Sequence, residues 1–475
     1  MILQSINCST FFSLVWCLAC LAPIYSTFAD GWAPVPPVPI PGSTSANSAN
    51  TVSSFDSTTG QFLVTWQDNV SVPTYAVYTV SSGTWSTPIN IPGAVAAPLS
   101  SNIFSSFDPA AGKFLVTWKS TGLTGNTYSL YTVSGDAWSP LATIPGSGII
   151  GSNSIFNSFD STTEQFLVTW RDGVTGLPFY TVYTVSSNSW SVPIAIPDLG
   201  SHTMSNNTIA YTSFNSSTGQ FLATWNNGAS GNAYFSIYTV SGNSWSQPVA
   251  ISTNQVDGGS ISNSFDSTTG QYIAVWKEAV TRIPTYSIFN GVTWSTPAHI
   301  PGAGTLINGD IFSSFGSTLE QFFVTWLDTK PIYSTYTVSS GTWSTPTIIP
   351  SSSTAQPNVF SSFGLATSTT GLFLTTWQDF TSNKPTYSIF TISAPPSPTP
   401  TPSSNTQAII TGAQGAAQQN IQLVDAAITN AITQIQETGM FGVTEGTFVD
   451  TLHPYIIDST IPYTTQVQIV PSWCQ

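Results

Sequence analysis

Charge is the scarcest ingredient of this sequence. Asp, Glu, Lys and Arg together make up 6% of the residues, and only seven are Lys or Arg. Nucleic-acid binding needs a basic footprint that releases counterions from phosphates, and seven cations in a chain of formal charge −14 cannot form one. An anionic membrane surface would repel the chain as well. Cysteine is nearly as rare. Cys8, Cys17 and Cys20 all lie in or beside an N-terminal apolar run, so once that segment is removed Cys474 is alone. No intramolecular disulfide is then expected, and the leftover thiol either pairs between chains or stays free. His202, His299 and His453 are far apart and lack metal-ligand spacing. Nucleophile-elbow, phosphate-loop and dinucleotide motifs are missing too. Neither a metal nor a cofactor is expected.

Aromatic residues, at 13%, and abundant Ser and Thr take the place of charge. Such a chain is too aromatic for disorder and too poor in ions for a typical cytosolic enzyme. It suits an all-β domain whose surface is polar through hydroxyls and amides. The first 29 residues read as a signal peptide: Phe11 to Pro23 is almost wholly apolar, and Thr27-Phe28-Ala29 offers small residues to a peptidase. No Lys or Arg precedes the run, a departure from the usual pattern, but the run is short for a membrane span. A secreted or cell-surface protein with no remaining span is expected.

Self-similarity organises the rest. The segment Ser54-Phe55-Asp56-Ser57-Thr58-Thr59-Gly60-Gln61-Phe62-Leu63-Val64-Thr65-Trp66 recurs, with copies ending at Trp118, Trp170, Trp225, Trp276, Trp326 and Trp377. A second tryptophan follows in the first six units, at Trp85, Trp138, Trp190, Trp245, Trp294 and Trp343, in phrases like Gly83-Thr84-Trp85-Ser86-Thr87-Pro88. Each unit reads as four short strands. One strand ends at the Asp56–Gly60 turn, Phe62–Trp66 forms the next, alternating Thr74–Val80 a third, and Trp85 toward Ile91 the last. Four strands in about 50 residues is the arithmetic of a propeller blade. The seventh unit lacks its fourth strand, whereas Gly31-Trp32-Ala33-Pro34 and Pro39-Ile40-Pro41-Gly42 at the other end supply the missing phrase. The predicted architecture is therefore a seven-bladed β-propeller over 30–393, closed by an N-terminal strand that completes blade seven.

Beyond it, 394–404 is a Pro/Ser/Thr linker and 405–475 a separate segment. There Ile421, Val424, Ile428, Ala431 and Ile435 predict an amphipathic helix over about 415–438, either packed locally or self-associating.

In a four-stranded blade, the turns after strands one and three share one face, and the loops after strand two and between blades share the other. The first face is monotonous here and the second varies, which is where binding usually resides on a rigid scaffold. The candidates for ligand contact on that face are Asp68, Lys119, Arg171, Asp172, Asn226, Lys277, Glu278, Asp328 and Asp379. The outer tryptophans, Trp85, Trp138, Trp190 and Trp245 among them, are candidate stacking surfaces in pockets between blades, while the inner series reads as core. Asp56, Asp108, Asp160 and Asp266 recur because each starts a tight turn.

The repeat resembles the bacterial neuraminidase-repeat and propeller-lectin families over roughly Gly31 to Ser393, in architecture and loose phrase rather than in a diagnostic motif. The Asp-box of neuraminidase repeats reads Ser-x-Asp-x-Gly-x-Thr-Trp; Ser81-Ser82-Gly83-Thr84-Trp85 lacks its Asp. A sialidase also clamps its substrate carboxylate with three arginines, and this chain has two, Arg171 and Arg282. Sialidase activity is not expected, and the balance is against an enzyme. The leading expectation is a multivalent exported protein binding glycans through the variable face, gaining avidity from similar weak sites. The alternatives are a glycoside hydrolase with a carboxylate pair in the propeller channel, and an adhesin-like platform for surface proteins.

Overall fold

The computed structural model describes residues 31–393 except 47–49, 99–100, 122–124, 149, 198–202, 207, 306–308 and 368–369. The expected signal peptide, linker and C-terminal helix, together with Cys474, lie outside the described residues. Each repeat forms one antiparallel sheet, seven in all, and the innermost strands touch in cyclic order, the last against the first. This is the seven-bladed propeller expected from the repeat.

Blade one shows why the phrases recur. Its strands are Val52–Asp56, Gln61–Gln67 and Pro73–Thr79, followed by two short pieces, Thr84–Trp85 and Ile89–Asn90. The carboxylate of Asp56 accepts the backbone N–H groups of Thr58 and Thr59, at 2.7 and 3.1 Å, and both threonine hydroxyls. Gly60 then takes a left-handed φ of 70°, which a side chain would oppose. The fourth strand is broken because Pro88 has no N–H to give. Ser86 bridges the break: its N–H donates to the Val77 carbonyl, and its hydroxyl accepts the Val77 N–H at 2.9 Å. Equivalent serines do the same in the next blades at Ser139, Ser191 and Ser246.

Packing between blades is apolar outside and hydroxylic inside. The inner tryptophans, Trp66 through Trp377, are fully buried, and Trp118 packs on Leu63, Tyr75 and Val77 of the preceding blade. Nearer the axis a hydroxyl of one blade meets a hydroxyl or amide of the next: Ser54 with Ser105, Ser106 with Asn157, Ser158 with Thr212, Ser213 with Asn263, Ser264 with Ser313, and Ser314 with Ser361. Ser362 returns to Ser53 at 2.7 Å, so the circle closes.

Blade seven combines Ala355–Leu365, Thr370–Asp379 and Pro385–Ser393 with the N-terminal Gly31–Pro39, in register Trp32 to Phe390 and Pro39 to Thr386. Trp32 takes the outer-tryptophan place, with rings of Tyr333 and Phe390 at 5.0 and 5.1 Å.

Candidate ligand-binding site

The propeller axis is filled. Three residues before the repeated phenylalanine of each first strand stand Val52, Phe104, Phe156, Tyr211, Phe312 and Phe360, which cluster as one buried group. Phe104 meets Phe156, Tyr211 and Phe360 at 5.0, 6.0 and 6.1 Å, and Phe312 lies 3.9 Å from Phe360. Ser262 takes the seventh place and accepts the Ser313 N–H. Tyr211 carries the plug's one aromatic hydroxyl, buried with no hydrogen-bond partner; burial, then the nearby Asp310, push its pKa well up. A substrate cannot pass through this plug, so the loop face around it is the place to look for recognition.

The residues just after each inner tryptophan divide into two groups. Members of the first reach inter-blade loops: Gln67 donates to the carbonyls of Pro98 and Ser101, Arg171 Nε to Met204 O at 3.1 Å, and Asn226 to Gly259 O at 3.3 Å. Lys277 instead meets Asp257 at 3.0 Å, and Arg282 shares the same carboxylate oxygen. Burial raises the Asp257 pKa, but its bonds and attraction to Lys277 and Arg282 outweigh this and hold it low. Lys119 is half-buried, and the loss of solvent lowers its pKa.

The second group staples its own loop. Asp68 accepts the N–H groups of Val70 and Val72 at 3.0 and 2.8 Å. Asp172 accepts those of Val174 and Thr175 at 3.1 and 2.7 Å. Glu278 takes the Thr281 hydroxyl and Asn254 amide and lies 3.1 Å from His299 Nε2. The Thr281 hydrogen bond, with His299, lowers its pKa against the effect of burial. Asp328 stays partly exposed at the edge of the face. None of these carboxylates belongs to the group that fills the axis.

The outer tryptophans are wedges in the seams. Trp85 packs on Tyr78 of its own blade and Tyr387 of the preceding one, at 5.1 and 4.8 Å. Trp138, Trp190 and Trp245 repeat this with Tyr131 and Tyr75, Tyr183 and Tyr128, and Tyr238 and Tyr180. Each is half-buried, with two rings already against it.

Asp379 differs from Asp68 and Glu278, and shares with Asp172, whose matching outer residue is Ala195 opposite Phe179, the lack of an outer-strand donor. In blade one the outer-strand Asn90 offers its amide to Asp68 at 3.4 Å, and in blade five His299 approaches Glu278. Both outer residues pair with the second residue of the third strand, Thr74 and Thr285. The matching partner of Thr386 in blade seven is Pro39, which has no donor. A cleft of about 250 Å³ opens there, lined by Pro37, Pro39, Ser351, Ser353, Asp379, Ser382 and Thr386. Asp379 is only 7% exposed, and accepts the Ser382 N–H at 2.7 Å and the Ser353 hydroxyl. Sequence reading marked Asp379 but missed the prolines and serines around it. The one available sign was the Pro-rich opening segment, whose place beside Thr386 emerges only on ring closure.

Among the described residues no group of three His, Cys, Asp or Glu side chains is placed to hold a metal, and no helix is long and apolar enough to cross a membrane.

No protein-family model matches this chain, and no curated protein matches it. Solved structures similar to it include a fungal alcohol oxidase of the AA5 family in complex with copper, at 14% identity and TM-score 0.51, covering 77% of this chain and 76% of that one. The hydrazine synthase of Kuenenia stuttgartiensis is similar at 7% identity and TM-score 0.51, over 74% of this chain and 97% of its own. The SapL1 lectin in complex with alpha methyl fucoside aligns at 10% identity and TM-score 0.46, over 65% of this chain and 98% of its own. At these identities the likeness extends to the propeller fold alone.

Proposed function

We propose that this is an exported, lectin-like protein that binds glycans on its loop face. The observation that carries the reading is the cleft at Asp379, where a carboxylate stands among the hydroxyls of Ser351, Ser353, Ser382 and Thr386 beside two proline rings. Sugar hydroxyls are donors and acceptors set on an apolar ring edge, and such a lining answers both halves of that chemistry. The filled axis favours binding over catalysis in the channel, because a carboxylate pair there would have no room for a sugar and a water. Export is supported by the apolar segment from Phe11 to Pro23.

A glycan array probed with the labelled mature chain tests the reading. Saturable binding to a related set of sugars is expected. A blank array from protein with native near-ultraviolet circular dichroism would overturn it and turn the search to protein partners of the same face.

A further inference from the structure

We infer that recognition is concentrated in one non-repeated site, the Asp379 cleft of blade seven, which takes a single neutral sugar ring, with the exposed Phe380, next to Asp379 in the chain and outside the cleft lining, as the aromatic surface for its apolar face. The inference rests on the glycan-binding reading and specifies its place, valency and ligand class.

The carboxylate comes first. Among the described residues two hydrogen bonds reach the Asp379 carboxylate, while an ionised carboxylate has about four lone-pair sites. In blades one and five, side chains from the outer strand take up part of that capacity; in blade seven the proline leaves it facing the cleft. Spare acceptor capacity on a carboxylate in a cleft calls for donors, and sugar hydroxyls are donors.

Next is the aromatic ring. Phe380 is 61% exposed and is the one aromatic among the large, clearly exposed apolar side chains of the described residues. Its N–H donates to the Thr354 carbonyl at 2.9 Å, which fixes its backbone between Asp379 and the Ser353–Thr354 segment. Asn69, Gly173 and Ala279 occupy the same place after Asp68, Asp172 and Glu278, so this aromatic is peculiar to blade seven among these loops. A sugar ring presents a C–H face that packs on such a surface.

Size and charge set the ligand. About 250 Å³ falls below the roughly 300–1,000 Å³ of sites for drug-sized ligands, which suits one ring. The lining has a carboxylate and no Lys or Arg, so uronic and sialic acids are repelled.

The test titrates the full mature chain with methyl glycosides of glucose, galactose, mannose and N-acetylglucosamine, and with glucuronic acid, followed by saturation-transfer NMR. Phe380→Ala and Asp379→Asn are each expected to weaken the bound glycoside at least tenfold. Pro39→Asn, which restores the donor found at Asn90, is expected to do the same by filling the cleft. Val174→Ala, in the matching loop of blade three, should leave affinity within twofold, and glucuronic acid should not bind. Glycoside binding retained by the three blade-seven variants would overturn the site while leaving glycan binding intact. If no glycoside and no array glycan binds the wild-type chain, the glycan reading fails and the site fails with it.

Discussion

The hydroxyl of Ser53 lies 2.7 Å from the hydroxyl of Ser362, although 309 residues separate them in sequence. Six like contacts link the other neighbouring blades, so this pair completes a circle that no open stack of repeats would need. A few ångströms further out, the hydroxyl of Thr376 donates to the carbonyl of Thr51 across the same seam. Closure then depends on the outermost strand of blade seven, which comes from the opposite end of the chain.

Deleting Gly31 to Gly42 should therefore abolish cooperative unfolding. The third strand of blade seven would become an open edge, and the Trp32 contacts with Tyr333 and Phe390 would go. Thermal melts by circular dichroism check this; an unchanged, sharp transition in the truncated protein would refute closure by this strand. The milder Trp32→Ala should cost about 3 kcal/mol in denaturant melts.

The aromatic plug makes two opposite forecasts. Phe360→Ala removes a ring packed on Phe312 and Phe104 and should cost about 3–5 kcal/mol. Tyr211→Phe removes a hydroxyl buried without a partner, so the variant should be as stable as wild type or more so. Chemical denaturation of both variants separates these results. Equal losses would mean that the Tyr211 hydroxyl has a role that its surroundings do not reveal.

Blade two offers a repair. Asp108 accepts the N–H groups of Ala110 and Ala111, but its second oxygen is buried with no partner. In blades one and three that oxygen takes a threonine hydroxyl, from Thr59 and Thr163. Ala111→Thr should restore the bond and stabilise by about 1 kcal/mol, measured as a raised denaturation midpoint. Conversely, Asp160→Ala should destabilise by about 1–3 kcal/mol, since it strips acceptors from the Thr162 and Thr163 groups.

These turns were legible in the sequence, because a short-range bond of Asp to the next three residues recurs wherever its letters do. The same holds for the inner tryptophans, repeated and fully buried. The plug was not: Val52, Phe104, Tyr211 and Ser262 share a position in space but not a residue type, and position three before a repeated phenylalanine carries no letter signal. Nor was the hydroxyl circle, since Ser and Thr occur everywhere and only the axis selects these. The reach of Gln67, Arg171 and Asn226 to inter-blade loops was hidden because their partners are backbone carbonyls there. Hardest to read was the cleft, which needs Pro39 set beside Thr386 across almost the whole chain.

Acid should act on blade five. The pKa of Glu278 is held below its ordinary value of 4.5 by the Thr281 hydroxyl and by His299. A carboxylate lowered in the folded state adds stability that is fully present above its unfolded pKa and is lost as pH falls through the folded one. Glu278→Gln should cost about 1 kcal/mol at pH 7, and the gap from wild type should close below about pH 4. Melting both proteins from pH 7 to pH 3 checks the sign; a gap that widens in acid would reverse it.

The most direct measurement is the binding stoichiometry of the mature chain with its best array sugar, by isothermal titration calorimetry on a monovalent glycoside. One site per chain is expected, because Asp379, Phe380 and Pro39 come together in blade seven alone. A stoichiometry near seven would place recognition in the repeated seams at Trp85 and its equivalents, and would contradict a single site.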